Sequence, residues 1–258
     1  MNTYRDKVVL EIGLNHLGDK NYFLKYIENI IKLKLKYATI QIREESFYFT
    51  GKDKLIPSDE LIKGLNSLKN KGVLVGLAIC DHFYKKYIPS FKPDFFKILS
   101  WQANNIKFVN SLSSYKKPIY ISLGMLNKKQ IINLNTKLKK LRNDYRFIHT
   151  QLNYEMNDLN LEFIKFLKEN SKFEISYGHH AKNSIIPIIL STALNIDKIF
   201  IYFKISKHRK HNDEDHAFYV KDIPKLFKEI NNSLKFMGST NKKSTKNMIE
   251  NYYKNAKK

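Results

Sequence analysis

Cysteine is almost missing from this chain. The single thiol, Cys80, excludes an intrachain disulfide framework and a cysteine-built zinc site. No apolar run reaches the ~18 residues that a membrane-spanning helix requires. The start, MNTYRDKVVLEIG, enters a strand pattern directly, without a signal-peptide segment, so a soluble cytoplasmic protein is expected. The patterns G-x-G-x-x-G, P-loop, H-E-x-x-H and C-x-x-C are also absent, which removes the common signatures of nucleotide and zinc-hydrolase sites. Acidic residues are few: 24 against 46 lysines and arginines, a net charge of +22. Such a balance suits polyanions. The lysines are scattered along the sequence, however, so the expectation is a solvated basic surface without a nucleic-acid role, whose field attracts small anionic substrates.

What is present is a regular alternation. Short apolar strand patterns are read at 8–14, 37–43, 73–79, 95–100, 118–122, 145–150, 173–177 and 198–203, each bounded by polar or turn residues. Between them lie amphipathic stretches at 22–36, 59–71, 127–142, 160–170 and 184–195, with a last helix at 221–236. Ser58 is a candidate cap for the helix that follows it. Eight alternations in 258 residues predict a closed (β/α)8 TIM barrel, with an open doubly wound sheet as the alternative. The barrel is expected over residues 1–238, and 239–258 (STNKKSTKNMIENYYKNAKK) reads as a basic, polar tail.

In such a barrel the active site lies at the C-terminal ends of the strands, and polar residues collect there. The first strand offers Glu11, Asn15 and His16, and the second Gln41, Arg43 and Glu44. The fourth offers Lys97 and Ser100, and the fifth ends at Ser122. The sixth is followed by His149, Thr150, Gln151 and Tyr154, and the seventh by His179 and His180. Lys97, inside the apolar run DFFKILS, is the sharpest signal. A buried lysine needs an anion or a carboxylate partner, because desolvation disfavours its charge; against a ligand-binding role stands the purely structural alternative, a lysine paired with Glu11 or one that snorkels to the barrel rim. Adjacent histidines on a strand face opposite ways, so at most one of His179 and His180 reaches the mouth. Further along, His208, His211, Asp213, Glu214, Asp215 and His216 read either as extra ligands or as an exposed charged loop.

In order along the chain, EIGLNHLGD (11–19), FKILS (96–100), KPIYISLGM (117–125), HTQLNY (149–154), YGHH (177–180) and EDHAF (214–218) resemble motifs of the N-acetylneuraminate (sialic acid) synthase family. That family consists of metal-dependent (β/α)8 barrels that condense phosphoenolpyruvate with an N-acetylated sugar. The resemblance implies that Lys97, Ser100 and Ser122 bind phosphoenolpyruvate, as a cation and hydroxyl donors suit such an anion. It implies catalytic roles for Glu11 and Asp215, sugar contacts for Asn15 and Tyr154, and His180 as ligand of a divalent ion, Mn2+ or Mg2+.

The departures from the family pattern are specific. Thr39 stands for the second-strand lysine, Ala78 for a phosphate-binding threonine, Gln102 for a glutamate and Leu123 for the threonine of S-T-G-M. Gly178 and His179 replace Ser-Asp. When the family's E-x-H-F is set on IYFK, Ile201 takes the place of an acid and Phe203 that of the second metal histidine. Arg43 and His216 are the candidates to restore a cation and a ligand. The family's small antifreeze-like domain has no counterpart before the lysine-rich end. The expected function is condensation of phosphoenolpyruvate with an N-acetylated amino sugar to a nonulosonic acid and phosphate. The alternative is a catalytically degenerate barrel acting as a binding or regulatory subunit. A second copy of the chain or an active paralogue is the protein partner expected, and no membrane.

Overall fold

The computed structural model describes residues 4–49, 55–153, 156–182, 184–237 and 245–255. Eight parallel strands close into a barrel: β1 (Val8–Glu11), β2 (Tyr37–Ile42), β3 (Leu74–Ile79), β4 (Phe95–Ile98), β5 (Ile119–Ser122), β6 (Tyr145–His149), β7 (Ile175–Gly178) and β8 (Ile199–Lys204). Closure is made by β1 on β8, with Val8 opposite Ile199 and Glu11 opposite Tyr202. A two-residue strand, β9 (Phe218–Tyr219), extends β8 on its outer side; it is too short to carry a sequence pattern.

The helices are α1 (Tyr4–Lys7), α2 (Lys20–Leu33), α3 (Glu45–Phe49), α4 (Ser58–Asn70), α5 (Phe83–Tyr87), α6 (Ile106–Ser111), α7 (Lys128–Lys139), α8 (Phe163–Asn170), α9 (Ile186–Ala193), α10 (Ile223–Met237) and α11 (Lys246–Asn255). Their apolar stripes cover the barrel. In α2, Tyr22, Phe23, Tyr26, Ile27 and Ile30 are buried, on the helical spacing. The Asp19 side chain caps α2 by accepting the Tyr22 N–H at 2.9 Å, and Asn127 with Gln130 forms a full capping box on α7. Ser58 does not cap α4: the cap position is Pro57, and the Ser58 hydroxyl donates to Asp59 at 3.0 Å. α2, α7 and α9 end at Leu33, Lys139 and Ala193, short of their amphipathic patterns; just beyond α2 and α9, Lys34 and Asn195 adopt left-handed backbone (φ 53° at both). Among the described residues no helix is long and apolar enough to cross a membrane.

Strand alternation divides the interior into two cores. Outward residues such as Leu10, Ile40, Leu77, Phe96, Ile121, Phe147, Tyr177 and Ile201 pack beneath the helices. Inward, Val9, Phe95, Tyr120, Ile148 and Phe200 form an apolar plug across the lower half of the barrel. Gly76 is required here: a Cβ on it would lie 2.2 Å from the Phe95 ring. Below the plug, on the N-terminal face, Arg146 joins Asp144 at 2.9 Å and Asp197 and Glu174 at 3.1 Å. A second set of polar inward residues, Glu11, Lys97 and Ser122 among them, lies above the plug at the C-terminal ends of the strands.

Candidate active site at the barrel mouth

Glu11 and Lys97 meet directly above the plug. Both are buried, 1% and 4% exposed. Lys97 Nζ donates to both carboxylate oxygens, at 2.7 and 2.5 Å, and Thr39 Oγ1 donates to Oε2 at 3.2 Å. The Nζ also lies 5.4 Å from the ring centres of Phe200 and Tyr202. Of the two partners open to a buried lysine, the folded chain supplies the carboxylate. A cavity of about 170 Å³ opens above the pair, bounded by Gln41, Lys97, Ser100, Ser122, Thr150, His180, Tyr202 and Asp213. The hydroxyl-bearing residues are all but buried, and Thr150 Oγ1 has no hydrogen-bond partner among the described residues. Glycine at 124 lets these groups converge, since a Cβ there would be 3.2 Å from Ser100 Oγ and 2.9 Å from Thr150 Cγ2.

The rim is built by two loops. Arg43 lies between Phe47 and Trp101, with its guanidinium 4.2 and 4.7 Å from the ring centres. It forms a two-pronged pair with Glu44 at 2.9 and 2.8 Å. That guanidinium holds the Glu44 carboxyl down to about 2. Burial pushes the Cys80 thiol up to about 12, and it donates to Glu44 at 3.1 Å. Arg43 thus lines the cavity with its charge already paired to Glu44.

The loop after β8 folds over the opposite side. Asn15 secures it: its Nδ2 donates to the Phe203 carbonyl at 3.1 Å, and its Oδ1 accepts the Asp213 N–H at 3.0 Å. His211 anchors the same loop to α2 through Tyr22 Oη at 2.8 Å, and its other nitrogen meets Glu214 at 3.1 Å. Asp213 is brought over Gly13, whose backbone is left-handed (φ 58°) and where a Cβ would be 2.5 Å from Asp213 Oδ2.

A model of the NeuB family matches residues 32–242. The chain belongs to the NeuB family. It is 24% identical over 231 residues to a pseudaminic acid synthase of Campylobacter jejuni, covering 80% of this chain and 67% of that protein. It is 22% identical to an N,N'-diacetyllegionaminic acid synthase of the same species, covering 95% of this chain and 81% of that protein. Among solved structures, an N-acetylneuraminic acid (sialic acid) synthetase from Leptospira borgpetersenii, crystallised with citrate, superimposes with a TM-score of 0.84 at 21% identity. That match covers 99% of this chain and 92% of the other.

The residues expected from the NeuB-like motifs separate into three groups. Lys97, Ser100, Ser122 and His180 line the cavity at the mouth, and Glu11 meets it only through Lys97. Asn15 is fully buried with both ends of its carboxamide bound to backbone, and Asp215 is half-exposed and paired with Lys182 at 3.5 Å; neither lines the cavity. The acid at the mouth is Asp213. Tyr154 lies outside the described residues. Gln41, Trp101, Thr150, Tyr202 and Asp213 complete the site; Gln41 and Thr150 are among the strand-end residues read from the sequence, Asp213 only as part of the charged run at 208–216, and Trp101 and Tyr202 not at all.

The divalent ion typical of such synthases does not match these residues. Phe203 does not face the mouth: it packs outward against Tyr26, with ring centres 4.9 Å apart. The inward residues of β8 are Tyr202 and Lys204, so E-x-H must be set one residue later, and the second histidine position is then Lys204, bound to Glu214. His179 turns away to stack on Phe218 at 5.3 Å, leaving His180 and His216. These two rings stack at 4.3 Å with only 25° between their planes. An ion bound at ~2.1 Å must lie in the plane of each imidazole, and two nearly parallel stacked planes do not meet at that distance. Burial depresses both rings, His216 to about 4 and His180 well below the usual histidine range. Among the described residues no group of three or more His, Cys, Asp or Glu side chains could hold a metal ion.

Proposed function

We propose that this NeuB family member condenses phosphoenolpyruvate with an N-acetylated amino sugar, forming a nonulosonic acid and releasing phosphate. The observation that carries the reading is the convergence of Lys97, Ser100 and Ser122, with Thr150 beside them, on one small cavity at the C-terminal mouth. An ammonium and three hydroxyls are the groups that hold a compact phosphate- and carboxylate-bearing ligand. The C. jejuni relatives, named for pseudaminic and diacetyllegionaminic acid synthesis, support the same class of product.

In this reading the cavity holds the enol ester with its C3 towards the rim. C3 bonds to the aldehyde carbon of the sugar as the carbonyl π pair moves to oxygen; water adds at C2, and its two protons go to the new alkoxide and to the phosphate that departs as the C2–O bond to phosphate breaks. Trp101, Gln41 and Asp213 line the side from which the sugar enters. Mass spectrometry of the protein incubated with phosphoenolpyruvate and N-acetylated hexosamines tests this. The expected product has the mass of phosphoenolpyruvate plus sugar plus water, minus phosphoric acid. Its absence with every sugar, while phosphoenolpyruvate still binds, overturns the synthase reading and leaves a ligand-binding barrel.

A further inference from the structure

Lys97 is at once the cation offered to an incoming anion and the sole cation held against Glu11 among the described residues. The Glu11 carboxylate is buried on a barrel strand, 1% exposed. Its other partner is the neutral Thr39 hydroxyl. The charged and titratable groups around the pair can be followed strand by strand. From β4 comes Lys97 itself, and from β8 Tyr202, opposite Glu11 in the ladder. His180 from β7 and His216 from the loop after β8 are held neutral by burial. Asp213 from that loop is a further anion. At the ends of β2 and β3, Arg43, Glu44 and Cys80 satisfy one another. Nothing in this set can replace Lys97 as counter-charge to Glu11.

An anion reaching Lys97 either displaces the Glu11 carboxylate or shares the ammonium with it. In both arrangements a second negative charge arrives beside a buried carboxylate, and like charges in a desolvated site favour the neutral acid. We propose that binding of a phosphate- or carboxylate-bearing anion at Lys97 is coupled to the uptake of one proton by Glu11. This deepens the phosphoenolpyruvate reading and rests on it for the identity of the anion.

The test is calorimetric titration in buffers of different ionisation enthalpy, which reads protons exchanged per ligand bound. Two probes are used: phosphoenolpyruvate, and sulfate, which does not titrate near neutral pH. Wild type should take up close to one proton with either probe, and its affinity should fall about tenfold per pH unit. Glu11→Gln should bind sulfate with no proton uptake and a flat pH profile. Should that variant fail to fold, difference infrared spectroscopy of wild type replaces it, with the carbonyl stretch of a protonated carboxylic acid appearing on adding sulfate. Binding of both probes without proton uptake, or an unchanged uptake in Glu11→Gln, overturns the coupling and leaves the phosphoenolpyruvate reading intact. Uptake with sulfate but no binding of phosphoenolpyruvate sustains the coupling and removes that substrate. Failure of both probes to bind refutes both.

Discussion

Replacing Lys97 by methionine keeps most of the side-chain volume and removes the charge, which leaves the Glu11 carboxylate buried with only the Thr39 hydroxyl as partner. Two charge-assisted hydrogen bonds, at 2.7 and 2.5 Å, are lost with it. Breaking a buried ion pair from one side costs about 3–5 kcal/mol, most of it the penalty of the stranded charge. The double variant Glu11→Gln/Lys97→Met strands no charge and should lie within ~1 kcal/mol of wild type, which gives a coupling of ~2 kcal/mol or more. Urea unfolding followed by far-UV circular dichroism and by the single tryptophan, Trp101, measures all four corners of the cycle. A single-variant loss below ~1 kcal/mol, or additivity in the double variant, would refute the buried pair as the organising feature of the site.

Arg43→Leu should change phosphoenolpyruvate affinity less than about threefold, because its guanidinium already satisfies Glu44; a loss of tenfold or more in calorimetry would make it a ligand clamp after all. Electron paramagnetic titration with Mn2+ should give the same weak binding for wild type and His180→Ala, as the stacked rings predict; tight binding lost in the variant would restore the metal site. His16, which burial pushes down to about 4, is carried neutral in the fold, so the unfolded chain binds more protons below its ordinary value of about 6.5. Stability should therefore fall as pH drops from about 6.5 towards 4, by roughly 3 kcal/mol at the most from this residue, and His16→Asn should flatten that segment of the profile.

Much of the scaffold could be read from the chain because each barrel strand announces itself by a short apolar run and each helix by its stripe. That Glu11 and Lys97 need partners was legible for the same reason, since a charge within an apolar run demands one; that they pair with each other was only one of the alternatives the sequence left open. What the sequence leaves unwritten is direction. In β8 the run IFIYF is apolar at every position, so hydropathy carries no alternation, and nothing tells that Phe203 faces the helices while Tyr202 faces the mouth. The same limit hides Asp213, which reaches the cavity only because Asn15, 198 residues away in sequence, binds its N–H. Arg43 read as a spare cation because its neutralisation by the next residue, Glu44, depends on a rim conformation fixed by Phe47 and Trp101. Helix ends at Lys34 and Asn195 depend on backbone handedness, which composition suggests only weakly.

Release of phosphate from phosphoenolpyruvate, followed across a panel of N-acetylated hexosamines, tests the central claim most directly. Release that requires one particular sugar, and falls at least tenfold in Ser122→Ala through loss of one hydrogen bond to a charged ligand, is the predicted result. Release at the same rate with or without sugar, or none with any sugar, would contradict a condensing site at this barrel mouth.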